Sequence, residues 1–317
     1  MSVPTLRQLY IPIAAWLLFA TLQVLAADRA DEHLQRGNAL AQQQDWSAAA
    51  VEYREALRLR PRYPEAHYNL GNVLEVRGDR QGAIAEFRQA LSLKPDYVEA
   101  HNNLALALQA SGDYNEALSQ FGEVIRIKPD YAEAHFNLGN LLAGKSEWDA
   151  AIAEYRLALL LRPADTAARI NLGYALAKKG AADSAILQLR EVLRTKPGDA
   201  GAHFNLANVL ASQGDLDSAI AEYRLALLLK PGDAAVEDNL GYAIEQRGDL
   251  NRAILEYRAA VHSQPGDVRA HFNLAAALES IGQLRAALEE YGMAAKLDPG
   301  NEGFQAEYAR LAALLKH

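Results

Sequence analysis

The apolar residues of this chain recur at spacings of three and four, and the whole pattern repeats every 34 residues. One leucine row runs from Leu70 to Leu274 and an aromatic-rich row from Tyr53 to Tyr291, while alanine fills one position in every copy. Spacings of three and four place apolar side chains on one face of a helix. A fixed period of this length predicts one supersecondary unit copied end to end.

Prolines and glycines punctuate the same period. Eight prolines from Pro61 to Pro299 keep the 34-residue interval, and a glycine divides most units in two. Asp or Asn stands two residues after later prolines, where it can cap the next helix, and Pro64 fits a first helical turn. These candidate caps are Asp165, Asp199, Asp233, Asp267 and Asn301. The pattern predicts two antiparallel helices per unit, each too short to persist alone in water.

The small residue near the middle of each first helix, the invariant alanine and the terminal proline together resemble the tetratricopeptide repeat (TPR) family. The resemblance covers residues 30–301 and implies an all-α, right-handed superhelical solenoid of eight helix-turn-helix units. The repeats are similar to the TPR arrays of O-linked N-acetylglucosamine transferases, but no catalytic domain accompanies them in this sequence. The predicted units are 30–63, 64–97, 98–131, 132–165, 166–199, 200–233, 234–267 and 268–301. Residues 302–317 are predicted to form a capping helix, with Phe304, Tyr308, Leu311, Ala312 and Leu315 on one face.

The resemblance implies that the first helix of each unit lines a concave groove, and an asparagine row would then face or border it. A side-chain amide donates and accepts at once, so it can pair with a peptide backbone regardless of sequence. The alternative is that this row is family consensus and only bonds neighbouring helices; both roles can coexist. The predicted peptide-binding ladder is Asn69, Asn103, Asn137, Asn171, Asn205, Asn239 and Asn273, with Gln35 at the first position.

Aromatic and acidic rows accompany the ladder. The predicted groove aromatics are Tyr68, Phe136, Tyr174, Phe204, Tyr242 and Phe272, for which the alternative is packing on a neighbouring helix. The predicted groove acids are Asp31, Glu65, Glu99 and Glu133, all in the first four units. This asymmetry predicts a directional ligand whose contact with the early repeats is neutral or basic.

Histidine takes the place of the family tryptophan in most units, as in His67 and His203, whereas Arg169 and Glu237 replace it in units five and seven. Equivalent atoms of adjacent repeats should lie about 10 Å apart, too far for a shared metal. We therefore expect polar packing between the two helices of a repeat, with a pH-responsive groove as the alternative. No metal site and no cofactor is predicted.

Composition narrows the function further. A net charge of -8 argues against nucleic acid as a partner, and the absence of cysteine removes thiol chemistry. No spacing typical of a nucleophile and its base occurs, so an enzyme is not expected. The leading prediction is a non-enzymatic scaffold that binds a protein or extended peptide. The alternative is a structural assembly module of an envelope complex that uses its convex face or array ends.

The N-terminal residues stand outside the repeats. Arg7 is the only charge before an apolar run at residues 11–20, and small residues near position 26 suit a signal peptidase. Residues 1–26 are predicted to be a signal peptide, or else an uncleaved membrane anchor. Either way we expect an exported protein, periplasmic, secreted or anchored, that meets the membrane only through this segment if it is uncleaved.

Overall fold

The computed structural model describes residues 27–316, in which the regular elements are helices. The predicted signal peptide at residues 1–26 lies outside the described residues. The helices are α1 (residues 27–42), α2 (Trp46–Leu59), α3 (Pro64–Val76), α4 (Arg80–Leu93), α5 (Val98–Ser111), α6 (Tyr114–Ile127), α7 (Ala132–Gly144), α8 (Trp148–Leu161), α9 (Thr166–Lys178), α10 (Ala182–Thr195), α11 (Ala200–Ser212), α12 (Leu216–Leu229), α13 (Ala234–Gln246), α14 (Leu250–Ser263), α15 (Val268–Ser280), α16 (Leu284–Leu297) and α17 (Glu302–Leu314).

The chain divides into two compact bodies, one ending at Lys145 and the other beginning at Ser146. The odd-numbered helices α1–α15 are the first helices of the repeats and are called A helices below. The even-numbered helices α2–α16 are called B helices. Within each body, an A helix packs against the B helix that follows it, and that B helix packs against the next A helix.

Close helix packing explains the row of small residues. A Cβ atom added to Gly71 would lie 2.6 Å from ring carbon Cε1 of Phe87, which stands on the B helix of the same repeat. A Cβ atom added to Gly241 would lie 2.8 Å from the ring carbons of Tyr257. Because these distances are below ordinary contact, the large apolar side chain of the B helix fits only against a very small residue.

The turns between the two helices of a repeat use left-handed backbone. Gly78, Gly112, Gly180, Gly214, Gly248 and Gly282 all have positive φ. Repeats one and four lack the glycine, and there Gln44 and Ser146 adopt φ values of 63° and 61°. The sequence prediction of a left-handed helix end is therefore correct, and two repeats accept its steric cost with a non-glycine residue.

The predicted helix caps are right in four of five cases. Side-chain oxygens accept hydrogen bonds from first-turn N–H groups at Asp165, Asp199, Asp267 and Asn301. Asp233 makes no such bond. Its carboxylate instead accepts a hydrogen bond from Lys230 Nζ at 2.9 Å, so the prediction for Asp233 is wrong.

The last helix, α17, packs against α16. Leu311 is fully buried, and the ring of Phe304 lies 5.1 Å from that of Phe272. Tyr308 and Leu315 remain 40% and 37% exposed, so only part of the predicted apolar face is covered.

Candidate functional site

Clefts recur between consecutive A helices on the face that carries the asparagines. In the first body, one cleft of about 440 Å³ lies between α5 and α7, and another of about 290 Å³ lies between α3 and α5. The second body has a cleft of about 330 Å³ along α9, α11 and α13. Their lining asparagines are Asn137 and Asn140, then Asn72 and Asn103, then Asn205, Asn208 and Asn239. We call these three sites the amide clefts.

In the first body, each ladder asparagine is hydrogen-bonded to another asparagine on the preceding A helix. Each donates from Nδ2 to an amide oxygen on the preceding A helix: Asn69 to Asn38 at 2.8 Å, Asn103 to Asn72 at 2.7 Å and Asn137 to Asn102 at 3.3 Å. These side chains therefore link neighbouring repeats as well as lining clefts.

The second body is less uniform. Asn239 donates to Asn208 Oδ1 at 3.0 Å, Asn273 donates to Asp238 Oδ1 at 2.9 Å, and Asn171 hydrogen-bonds with Tyr155. Asn205 is half-buried at its cleft, and its side chain makes no hydrogen bond to any residue that the structure describes. Asn205 is therefore the ladder residue whose side-chain amide a ligand could hydrogen-bond without breaking a hydrogen bond inside the protein.

A second amide row was missed by the sequence prediction. Asn38, Asn72, Asn140 and Asn208 stand three residues after ladder positions, which places them on the same helix face. Asn208 Oδ1 accepts from both Tyr223 Oη at 2.6 Å and Asn239 Nδ2 at 3.0 Å. Because that oxygen is used twice, Asn208 has only N–H groups left to offer a ligand. The signal was present in the sequence as four asparagines on the 34-residue frame.

The predicted groove aromatics fall into two groups. Tyr68 packs 4.9 Å from the ring of Tyr97, Phe204 lies 6.1 Å from Tyr223, and Phe272 lies 5.4 Å from Tyr291. Phe136 is also half-buried. Tyr174 and Tyr242, by contrast, are 44% and 55% exposed. These last two are the most exposed of the six predicted groove aromatics, although the ring of Tyr174 lies 6.0 Å from that of Trp148.

The predicted groove acids are also unequal. Asp31 accepts hydrogen bonds from Tyr63 Oη at 2.6 Å and Arg60 Nη2 at 2.9 Å. The bond from Tyr63, aided by Arg60, holds the pKa of Asp31 below its ordinary value. Glu99 and Glu133 are exposed at the start of α5 and α7, and Glu65 is half-buried in α3. Asp31 is thus paired internally with Arg60 and Tyr63, whereas Glu99 and Glu133 are exposed to solvent.

The histidine row bridges the two helices of a repeat in repeats one, two, three, six and eight. His67 Nδ1 donates to Glu86 Oε2 at 2.6 Å, and its Nε2 donates to the Pro61 carbonyl at 3.1 Å. Burial lowers the pKa of His67, but the bonds to Glu86 and Pro61 raise it more, so the net shift is upward. The same pair of contacts recurs at His101, His203 and His271, and Arg169 makes it in repeat five.

Repeat seven breaks this bridge. Glu237 takes the histidine position and is only 8% exposed, and its Oε2 has no hydrogen-bond partner among the described residues. The position that accepts the bridge on the B helix holds Glu256. Burial raises the pKa of Glu256, and the Glu237 carboxylate raises it further, although Arg224 opposes both. Repeat seven therefore sets two carboxyl groups together where other repeats set a donor against an acceptor.

Within residues 27–316, no group of three His, Cys, Asp or Glu side chains could hold a metal ion. No helix in that range is long and apolar enough to cross a membrane. The arrangement that remains is a series of amide-lined clefts on a helical repeat frame.

Sequence comparison identifies the family. A model described as "TPR repeat" matches residues 37–75, 77–112 and 107–146. A model described as "Tetratricopeptide repeat" matches residues 142–200, 170–234 and 239–302. Together they cover most of the chain, which belongs to the tetratricopeptide repeat family. Among curated proteins, no significant sequence match is found.

Solved structures support the same fold. A TPR protein from Parabacteroides merdae aligns with a TM-score of 0.64 at 17% identity, over 79% of this chain and 99% of that one. YrrB, titled a TPR protein with an unusual peptide-binding site, aligns with a TM-score of 0.52 at 22% identity, over 62% of this chain and 97% of that one. Cut9–Hcn1 of the APC/C aligns with a TM-score of 0.62 at 17% identity, over 84% of this chain and 52% of that one.

These findings confirm the predicted all-α fold of eight helix-turn-helix units followed by a further helix. Proteins of this family generally act as non-catalytic scaffolds for proteins or peptides. The specific likeness to the arrays of O-linked N-acetylglucosamine transferases stays a prediction.

Proposed function

We propose that the amide clefts bind an extended protein segment, and that the protein is a non-enzymatic scaffold working outside the cytoplasm. The observation that carries this is the recurrence of the same cleft, lined by the same two asparagine positions, in both bodies. A surface repeated at a fixed spacing suits a ligand that is itself repetitive, and a polypeptide backbone is such a ligand.

The spacing of the clefts supports a backbone ligand. Packed helices stand about 8–10 Å apart, and an extended chain advances about 3.3 Å per residue. One amide position would therefore meet about every third residue of the ligand. Asn208, with its oxygen occupied, supplies N–H groups that suit the ligand's carbonyl oxygens.

The side chains around the clefts would set the direction of the ligand. Glu99 and Glu133 in the first body favour a neutral or basic stretch, because like charges would repel. Tyr174, which lines the cleft of the second body, offers an aromatic surface beside Asn205. Exposed tyrosines are frequent energetic anchors of interfaces.

The test begins with a library of extended peptides screened against the full chain. The strongest binder is then titrated against Asn205→Ala and Asn239→Ala. Asn205 has no internal partner among the described residues, so its loss should weaken binding without changing thermal stability. Asn239 is bonded to Asn208, so its loss should lower stability as well. Unchanged affinity in Asn205→Ala would contradict the proposed role of the amide clefts.

Export is a separate part of the proposal and rests on residues 1–26 of the sequence. Fractionation of cells expressing the chain, with mass spectrometry of its N-terminus, tests it directly. Recovery outside the cytoplasm is expected, with a new N-terminus near Ala27 if the segment is cleaved. Recovery of the intact chain in the cytoplasm would refute export and leave the proposed peptide binding unaffected.

A further inference from the structure

The outer side of the B helices in the second body exposes leucines. Leu160 and Leu228 are 75% and 76% exposed, and Leu187 and Leu255 are 65% and 61% exposed. They stand on α8, α12, α10 and α14 in turn, so four consecutive B helices each contribute. Single exposed leucines are common, but the core does not account for leucines on one side of four consecutive B helices. Leu160 and Leu228 hold one repeat position on α8 and α12, and Leu187 and Leu255 hold a position two helical turns earlier on α10 and α14.

For Leu160 and Leu228, the equivalent positions of repeats one, three and five show what the leucines replace. Repeats one, three and five carry, on the outside of the B helix, an ion pair between two residues one helical turn apart. These pairs are Glu55–Arg58 at 2.8 Å, Glu123–Arg126 at 2.7 Å and Glu191–Arg194 at 2.8 Å. Repeats four and six have Leu157 with Leu160 and Leu225 with Leu228 instead. A solvent-compatible pair has thus been exchanged for apolar side chains at two sites 68 residues apart.

Arginines stand among the leucines on the same outer face. The side chains of Arg156, Arg190, Arg224 and Arg258 are exposed and, within the described chain, form no ion pair. Three residues separate Leu187 from Arg190 and Leu255 from Arg258, which places each pair on one side of its helix. We call these four arginines with Leu157, Leu160, Leu187, Leu225, Leu228 and Leu255 the Leu/Arg face.

The charge of this face limits what can cover it. The chain as a whole carries a net charge of -8, so four arginines that form no close ion pair among the described residues are a local exception, although Arg224 acts electrostatically on Glu256. A second copy placed face to face would oppose arginine rows of the same sign, which is unfavourable. The leucines are exposed on the outside of the B helices and do not line any of the three amide clefts, whereas a bound peptide is usually held in a concave groove.

We propose that the Leu/Arg face rests on an anionic lipid surface. Leucines would enter the boundary between headgroups and acyl chains, while the arginine stems lie along it and their guanidinium groups meet lipid phosphates. Each basic residue near an anionic membrane strengthens attachment about fivefold. The second body would then present its A helices, on the other side of its repeats, away from the membrane.

The absence of cysteine permits a site-specific test. Leu187→Cys is labelled with an environment-sensitive fluorophore in the full chain and mixed with vesicles of phosphatidylcholine alone or with added phosphatidylglycerol. Val51→Cys is the matched control, because Val51 is 57% exposed on the outside of the B helix of repeat one. Residues 1–26 are present in both proteins and lie nearer to position 51 in the sequence, so attachment through them alone is not expected to favour the label at position 187.

A blue shift at position 187 is expected with phosphatidylglycerol vesicles only, with little change at position 51. The shift should disappear in L160E/L228E, and R156Q/R224Q should lower the apparent affinity about 25-fold by the same rule of about fivefold per arginine. All substituted residues are exposed, so thermal unfolding should stay unchanged in both variants. No shift with anionic vesicles would overturn the proposal and favour an acidic protein partner. An equal shift at both labels would also overturn it, because attachment would then not be specific to the Leu/Arg face.

Discussion

The two bodies share one helical frame but differ in what they place on it. On the A helices, the first body carries exposed Glu99 and Glu133, and the second carries exposed Tyr174 and Tyr242. On the B helices, ion pairs dominate the outside of repeats one and three, and leucines dominate that of repeats four and six. Duplication therefore preserved the core positions, while the A-helix surface and the B-helix surface acquired different side chains in the two bodies.

The same contrast holds inside the repeats. Repeat two, in the first body, has the donor His67 between Glu86 and the Pro61 carbonyl. Repeat seven, in the second body, has Glu237 at the histidine position opposite Glu256. The backbone at both places is helical and equivalent, so a single substitution changes a satisfied bridge into a pair of carboxyl groups.

The first prediction, with the largest expected effect, tests whether the cores of the two bodies are as similar as their shared 34-residue repeat suggests. Phe121→Ala in the first body and Leu189→Ala in the second remove equivalent, fully buried side chains. We expect losses in unfolding free energy of about 3–5 and about 2–5 kcal/mol respectively. Denaturant unfolding measures the size of each stability loss, and hydrogen–deuterium exchange shows where in the chain it occurs. A negligible loss in either body would show that its core does not depend on this position.

A second prediction concerns repeat seven. Glu237→His should restore the bridge to Glu256 and raise the unfolding free energy by about 1–3 kcal/mol at neutral pH. The raised pKa of Glu256 means that the folded wild type holds its proton more tightly than the unfolded chain. Its contribution is therefore fully present below the ordinary glutamate pKa and is lost as pH rises through the raised value.

The pH profile separates this explanation from simple repacking. Between mildly acidic and neutral pH, the stability of repeat seven should fall in the wild type and stay flatter in Glu237→Gln. The bridge of repeat two also contributes below the ordinary histidine pKa, and its stability is lost as pH rises through the raised pKa of His67. Repeat-resolved exchange distinguishes the two, and an identical profile for wild type and Glu237→Gln would argue against the carboxyl pair.

The aromatic contrast gives the third prediction. Tyr174→Ala should weaken peptide binding by about 2 kcal/mol with only a small loss of stability, because the residue is 44% exposed and its ring keeps an edge contact with Trp148 and a cation–π contact with Lys178. Tyr68→Ala, in the first body, should instead lower stability, because its ring packs on Phe87 and Tyr97. Calorimetric titration and thermal unfolding of both variants provide the comparison. Equal stability losses would erase the proposed difference between the groups.

The smallest expected effect belongs to the acids. Glu99→Gln with Glu133→Gln should change the affinity for a basic peptide by no more than about 1 kcal/mol, mainly through the association rate. Stopped-flow measurements at low and high salt are sufficient, since exposed charges are screened. An effect that persists undiminished at high salt would mean that these acids are buried by the ligand.

Much of the fold could be predicted from the sequence because its signals are local and repeated. Helix ends follow from glycines with positive φ, and the close approach at Gly71 follows from the absence of a side chain. The failed cap at Asp233 shows the limit, since Lys230 competes for the same carboxylate. Site details needed the structure because they depend on contacts between repeats: nothing in the sequence shows that Asn205 lacks an internal partner while Asn239 has one.

The most direct test of the account asks whether the amide clefts hold the ligand by its backbone. A bound peptide is compared with the same peptide carrying amide-to-ester replacements, against wild type and Asn205→Ala. We predict that one replacement weakens binding to the wild type by about 1 kcal/mol, as expected for one lost hydrogen bond, and causes no further loss in Asn205→Ala. Ester replacements that leave wild-type binding unchanged at every position, or weaken both proteins equally, would contradict it.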